Sequence, residues 1–120
     1  EPTNPYDALK TLGEFDMSGF NTDKDLNVYS DMHDDNGTAY IKFAALVSVN
    51  LTVRANVSSE QNYDKFEIYL NGQLQGSWSG ETVCEITFSI NIGDTVEFVY
   101  SKDGSGRVGE DNVVICEISY

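Results

Sequence analysis

The chain has 120 residues, 40% hydrophobic and 12% aromatic, and its 20 acidic against 7 basic side chains give a formal net charge of −13. This size and hydrophobic content predict one folded domain and exclude a disordered chain. The negative charge disfavours nucleic acid as a partner, because a polyanion is repelled, although a charged face kept for solubility explains the acidity equally simply. No apolar run approaches the ~18 residues of a membrane span, so membrane insertion is not expected.

The first residues divide the chain into two predicted parts. Residues 1–5 are polar and carry two prolines, which is typical of a linker remnant from a longer polypeptide, and residues 6–120 are predicted to form a single domain. In the stretch that follows the linker, Ala8, Leu9 and Leu12 could share one helical turn, but Gly13 and Gly19 interrupt any longer helix. We therefore expect an irregular lead-in or an edge strand around Gly13–Met17.

Residues 63–78 predict a β-hairpin. Phe66, Ile68 and Leu70 alternate with polar or aromatic neighbours, which is the period-2 pattern of a strand with one buried face. Asn71-Gly72 then supplies the two residues that tolerate positive φ in a type I′ turn. The return strand continues the alternation with Leu74, Gly76 and Trp78.

The same alternation recurs along most of the chain. It is longest between Val47 and Val57, where every odd position is apolar, and it predicts a central strand with one solvated face. About eight short strands without a convincing helix predict an all-β fold, an antiparallel β-sandwich or jelly roll. The remaining predicted strands cover residues 26–32, 38–43, 83–90, 95–101 and 113–120, and the last places Val114, Cys116, Ile118 and Tyr120 on its core face.

The two cysteines, Cys84 and Cys116, both lie on faces assigned to the core. A disulfide between them would stabilise the fold by about 3–4 kcal/mol in the chain-entropy model, and two buried free thiols are an equally good interpretation. A zinc site needs more ligands than two cysteines and the single histidine, His33, supply.

Catalysis finds little support in the sequence. His33 is the one candidate base for a nucleophilic mechanism, and it lies in an acidic turn without a nucleophile motif. The 20 acidic residues leave a carboxylate pair for glycoside hydrolysis open, but short loops offer little room for a deep cleft. We therefore do not expect an enzyme.

Calcium is the one metal that the acidic turns predict, because Ca²⁺ prefers several hard oxygen ligands at close spacing. The alternative is a structural loop in which Lys102 or Arg107 neutralises the acidic residues Asp103 and Asp111. The predicted ligands, in two groups along the chain, are Asp31, Asp34 and Asp35, and Asp103 and Asp111.

Sugar binding requires exposed aromatic rings that stack on pyranose faces, with amides and carboxylates nearby for the hydroxyl groups. Tyr69 alternates with core residues and is predicted to point to solvent, and Tyr29 and Tyr40 are also out of phase with apolar neighbours. Trp78 is in phase with Leu74, so it is either a ligand-binding ring or part of the core. Outward tyrosines without a ligand are also common on sheets.

Three segments together carry a resemblance: SSEQNYDKFEIYLNG at 58–72, GDTVEFVYSKDGS at 93–105 and GEDNVVI at 109–115. They resemble β-sandwich modules of bacterial secreted and cell-surface proteins, which are similar to CUB and MAM-type jelly rolls and to several carbohydrate-binding modules. The resemblance implies that Tyr63 and Asp64 brace a loop over the core. It also implies a structured turn formed by Ser101–Asp103 with Asp111. The chain departs from the pattern in its two cysteines and its aliphatic ending, where such modules often have an Asp-Asn pair.

The resemblance implies a non-catalytic accessory module, extracellular or attached to the cell surface. We expect a monomeric module of a multidomain protein that binds a polysaccharide or cell-surface glycan, with Tyr69, Trp78, Tyr29 and Tyr40 as ligand-binding residues. The alternative is a protein-interaction or spacer module of a bacterial adhesin or fibre.

Overall fold

Two antiparallel five-stranded sheets pack into a β-sandwich in the computed structural model, which describes residues 4–31, 37–59, 64–102 and 112–120. The predicted fold class is confirmed, and the described residues form ten strands, instead of about eight, and one short helix. The elements are α1 (Pro5–Leu12), β1 (Phe15–Ser18), β2 (Phe20–Thr22), β3 (Val28–Ser30), β4 (Thr38–Ala44), β5 (Val49–Ser58), β6 (Lys65–Leu70), β7 (Gln73–Trp78), β8 (Glu81–Ile90), β9 (Thr95–Ser101) and β10 (Asn112–Ser119).

Most strands that are consecutive in sequence lie in different sheets, whereas β2 and β3, and β6 and β7, pair directly. The first sheet has the order β1-β4-β9-β6-β7, and the second has the order β2-β3-β10-β5-β8. In the first sheet β9 lies between β4 and β6, so residues that are far apart in the sequence share one surface. The predicted central strand, β5, pairs with both β10 and β8.

The core forms between the sheets because alternate side chains of nearly every strand are apolar. Phe43 on β4 and Phe98 on β9 meet edge to face, with ring centroids 6.3 Å apart. Burial of such side chains stabilises the fold by about 1.5–3 kcal/mol for each one. The largest fully buried side chains of the strands are Val28, Ile41, Phe43, Leu51, Phe66, Ile68, Ile90, Phe98, Tyr100 and Ile115.

The predicted hairpin is confirmed. Asn71 and Gly72 have φ values of 52° and 81°, which are the two positive values of a type I′ turn. The pairing of β6 with β7 shifts between Ile68 and Tyr69, so β7 carries an extra residue near the turn.

A short helix, α1, replaces part of the predicted irregular lead-in. Asn4 caps it by accepting a hydrogen bond from the Asp7 backbone N–H at 2.8 Å, and the Gly13 N–H closes its other end. The helix packs against β10, and the edge strand predicted after it is present as β1. Helix α1 begins at Pro5, which belongs to the predicted linker remnant. The boundary between linker and domain therefore stays a prediction. The buried helix residues that drive this packing are Ala8, Leu9 and Leu12.

Two strand predictions are wrong in detail. Phe20–Thr22 forms β2, a strand that is not among those predicted. In β10 the predicted core face is wrong at its start: Val113 and Ile115 are fully buried, and Val114 and Cys116 lie on the other side. The alternation of buried side chains changes phase because the pairing of β10 with β5 shifts register between Ile115 and Glu117. This shift returns Ile118 to the core.

The cysteines are free thiols. Cys84 is buried in β8, and Cys116 is partly exposed and donates to the backbone carbonyl of Arg54 at 3.4 Å. The disulfide alternative is therefore not realised in this structure. The apolar surroundings of Cys84 raise its thiol pKa to about 12.

The helix in the described residues is too short and too polar to cross a membrane.

Candidate functional site

The outer face of the first sheet, which is the face turned away from the second sheet, holds two of the four predicted aromatic residues. Tyr40 on β4 alternates with buried Ile41, and Tyr69 on β6 alternates with buried Ile68, so both rings lie on this face and are partly exposed. Strand β9 separates the strands of the two tyrosines, and Tyr69 lies two residues along β6 from the position in register with Tyr40. This arrangement places their Cβ atoms about 12 Å from each other. The two rings could contact successive parts of one extended ligand.

Strand register arranges this outer face in two rows of side chains. Glu97 on β9 pairs with Tyr69 on one side and with Lys42 on the other, and Val99 likewise separates Tyr40 from Glu67. The first row is Asp16, Lys42, Glu97, Tyr69 and Leu74, and the second row is Ser18, Tyr40, Val99, Glu67 and Ser77.

Two carboxylates surround the Tyr69 phenol. Its hydroxyl donates a hydrogen bond to Glu67 Oε1 at 3.1 Å. Burial of the phenol raises the pKa of Tyr69, and the hydrogen bond to Glu67 and the charges of Glu67 and Glu97 raise it further. The ring therefore stays neutral at physiological pH and is fixed in direction by Glu67, which suits stacking and hydrogen bonding to an uncharged hydroxyl group.

A shallow depression of about 310 Å³ adjoins this face at the β1 edge. Asp16 and Lys42 line it and also belong to the first row of the outer face. A ligand lying across Tyr69 could therefore continue over β4 toward Phe15 and Glu14, which line the same depression.

The other two predicted aromatic residues lie elsewhere. Tyr29 is on the outer face of the second sheet, where it pairs with Val114 and Asn21. Trp78 faces the core side of β7 and packs on buried Phe66, with ring centroids 6.1 Å apart. The structure therefore brings Tyr40 and Tyr69 to one face and separates Tyr29 and Trp78 from them.

The predicted calcium ligands are only partly described. Asp31 follows β3 and accepts a hydrogen bond from Asn21 Nδ2 at 2.8 Å. Within the described ranges, no group of three or more His, Cys, Asp or Glu side chains is placed to hold a metal ion. The other four predicted ligands, Asp34, Asp35, Asp103 and Asp111, lie outside the described residues, as does His33.

Three polar residues of the outer face escaped the sequence-based site prediction: Lys42, Glu67 and Glu97. Alternation alone places Glu67 on the same side of β6 as Tyr69. Nothing local in the sequence indicates that Glu97 of β9 is the direct neighbour of Tyr69, because that contact depends on the strand order.

No family model and no curated protein matches the chain. Among solved structures, a secreted serine protease, VesC from Vibrio cholerae, matches with a TM-score of 0.80 at 17% identity, over 100% of this chain and 27% of the protease. This chain thus spans about a quarter of that protein's length.

Several of the other solved structures that match are carbohydrate-binding modules of nearly the same length. A CBM51 from Clostridium perfringens GH95, in complex with methyl-galactose, has a TM-score of 0.53 at 16% identity and covers 97% of this chain and 98% of its own. A family 35 carbohydrate-binding module from an environmental isolate has a TM-score of 0.52 at 9% identity, with coverages of 92% and 90%. The chain therefore has a jelly-roll fold similar to that of carbohydrate-binding modules.

Proposed function

We propose that this domain is a non-catalytic module that binds polysaccharide within a larger secreted or surface-attached bacterial protein. We place its binding surface on the outer face of the first sheet. The observation that supports this most directly is the position of Tyr40 and Tyr69 on the same face, two strands apart. The fold shared with carbohydrate-binding modules supports the same class of function.

The chemistry of this face suits a sugar polymer. Partly exposed tyrosine rings offer flat apolar surfaces for pyranose stacking, and Glu67, Glu97 and Lys42 offer hydrogen-bond partners for hydroxyl groups on either side. The outer face of this five-stranded sheet offers an extended polysaccharide chain a surface that crosses several strands. We infer that the module binds internal segments of a polysaccharide as a monomer.

The proposal is tested by affinity electrophoresis of the domain in gels that contain individual polysaccharides. Tyr69→Ala and Tyr40→Ala should each weaken retention about tenfold, because each removes one stacking ring. Tyr29→Ala is the matched control, since it removes the same side chain from the second sheet and should leave retention unchanged. Retention that depends on Tyr29 and not on Tyr69 would contradict the proposed surface.

Calcium enters the proposal as a sequence-based prediction from Asp31, Asp34, Asp35, Asp103 and Asp111. The same gels are therefore run with calcium and with EDTA. Retention that is lost only in EDTA, and is insensitive to Tyr40→Ala and Tyr69→Ala, would move the binding site to those acidic turns and contradict the sheet-face site.

A second candidate function is a protein-contacting or spacer domain. The observation that favours it is the match of the whole chain to a part of VesC, a secreted serine protease. A domain of this fold thus also occurs within a secreted serine protease. A screen in which no polysaccharide is retained, with or without calcium, would favour this second function.

A further inference from the structure

Two carboxylates on the outer face of the first sheet lie next to the Tyr69 phenol. Glu67 accepts the Tyr69 hydroxyl, and Glu97 lies directly opposite Tyr69 in the register of β6 and β9. Lys42 pairs with Glu97 on the other side. Among the described residues, however, the ion pairs within 4.0 Å include neither Glu67 nor Glu97.

The outer face of the second sheet is different. There, Arg54 Nε lies 3.3 Å from Glu85 Oε2, so an adjacent cation neutralises that carboxylate. The carboxylates beside Tyr69 are therefore not held in an ion pair among the described residues, although Lys42 and Lys65 lie on the same face, and they adjoin a ring that can receive a cation on its face.

We propose that this surface prefers glycans with free amino groups, that is, polymers of unacetylated hexosamine, over neutral glycans, and disfavours polymers of uronic acids. This inference rests on the proposed function and adds the class of sugar. A protonated amine above Tyr69 would form a cation–π contact and lie between two carboxylates, Glu67 and Glu97. A uronic acid at the same place would meet like charges, in a protein whose net charge is already −13.

The test compares two oligosaccharides that differ only in this group: glucosamine oligomers and fully N-acetylated oligomers of equal length. Binding of each is measured by isothermal titration calorimetry at a pH where the amine is protonated. We expect the free-amine oligomer to bind several-fold more tightly. Glu67→Gln and Glu97→Gln should each weaken its binding about three- to fivefold, as for a partly exposed ion pair, without changing the affinity for the acetylated oligomer.

Glu117→Gln is the matched control, because it removes the same charge from an exposed position on β10 of the second sheet. Equal losses in Glu117→Gln and Glu97→Gln would overturn the inference, since the preference would then reflect overall charge. Equal affinity for the two oligomers, with binding still lost in Tyr69→Ala, would overturn the amine preference and leave the proposed function intact. If neither oligomer nor any neutral polysaccharide binds, both are overturned.

Discussion

Asp64 and Lys102 form an ion pair inside the protein: Asp64 Oδ2 and Lys102 Nζ lie 3.6 Å apart, and the side chains are 0% and 1% exposed. Asp64 directly precedes β6 and Lys102 directly follows β9, which are paired strands of the first sheet. The pair therefore joins the ends of these two strands. The Asp64 carbonyl also accepts the Ser59 hydroxyl at 3.0 Å, and the Lys102 N–H donates to the Gly37 carbonyl.

Removing one partner of this pair should strongly destabilise the fold. Asp64→Asn removes a negative charge 3.6 Å from the buried Lys102 ammonium, and we expect the free energy of unfolding to fall by about 3–5 kcal/mol. Urea denaturation monitored by circular dichroism measures this change. Arg54→Gln, which breaks the exposed pair with Glu85, should cost less than about 1 kcal/mol. Similar costs for the two variants would show that the Asp64–Lys102 pair is not buried as described.

The parts of the fold that can be predicted from the sequence are those that a local residue pattern specifies. The Asn71-Gly72 turn and the alternation in β5, β6 and β9 are local patterns, and the strands that they predict are present. Helix α1 was missed because Gly13 was interpreted as a helix breaker, whereas it ends a helix that Asn4 caps. The core face of β10 was wrong at its start because a bulge reverses the alternation, and a bulge has no clear signal in a single sequence.

The candidate site was predicted only in part for a related reason. Alternation places Tyr40 and Tyr69 away from the core, but it does not say which strands are neighbours. Their common face exists because β9 inserts between β4 and β6, and Glu97 reaches Tyr69 through that same pairing. For Trp78, alternation left core and surface equally open, and its contact with Phe66 resolves the choice.

The two thiols should differ sharply in reactivity. The Cys84 thiol is buried, which makes it inaccessible and raises its pKa to about 12, so it stays protonated. Cys116, in contrast, is partly exposed. Under native conditions we expect a thiol reagent such as DTNB to label one cysteine per molecule, and Cys116→Ser to abolish this labelling. Cys84 should react only after unfolding in urea. Failure of both to react after unfolding without reductant would indicate a disulfide and contradict the free thiols.

Gly76, which has no side chain, leaves the space on β7 that the Trp78 indole occupies. A Cβ at this position would overlap the indole and come within 2.9 Å of its Cζ2 atom. Because the indole already packs on Phe66, Gly76→Ala should displace it and destabilise the protein by about 1–3 kcal/mol. The chain has one tryptophan, so its fluorescence spectrum reports this displacement directly. Ser77→Ala, at an exposed neighbouring position, is the control, and an unchanged spectrum in Gly76→Ala would contradict the contact.

The ionisation of Tyr69 tests the geometry of the outer face without any ligand. Because burial, the hydrogen bond to Glu67 and the charges of Glu67 and Glu97 raise its pKa in the folded state, the neutral phenol is favoured by folding. Its contribution to stability is fully present below the ordinary tyrosine pKa of about 10 and is lost as the pH rises through the higher folded value.

The expected result is that wild-type stability falls more steeply than that of Tyr69→Phe above about pH 10. NMR titration of ring-labelled tyrosines, with Tyr69→Phe to assign the signal, should show a raised Tyr69 pKa that moves back toward the ordinary value in Glu67→Gln. Glu117→Gln, which removes the same charge from the second sheet, should leave that pKa unchanged. An unshifted Tyr69 pKa in the wild type would mean that Glu67 and Glu97 do not surround the phenol. The carboxylate arrangement on which the amine preference depends would then be absent, whereas stacking on Tyr40 and Tyr69 would not be affected.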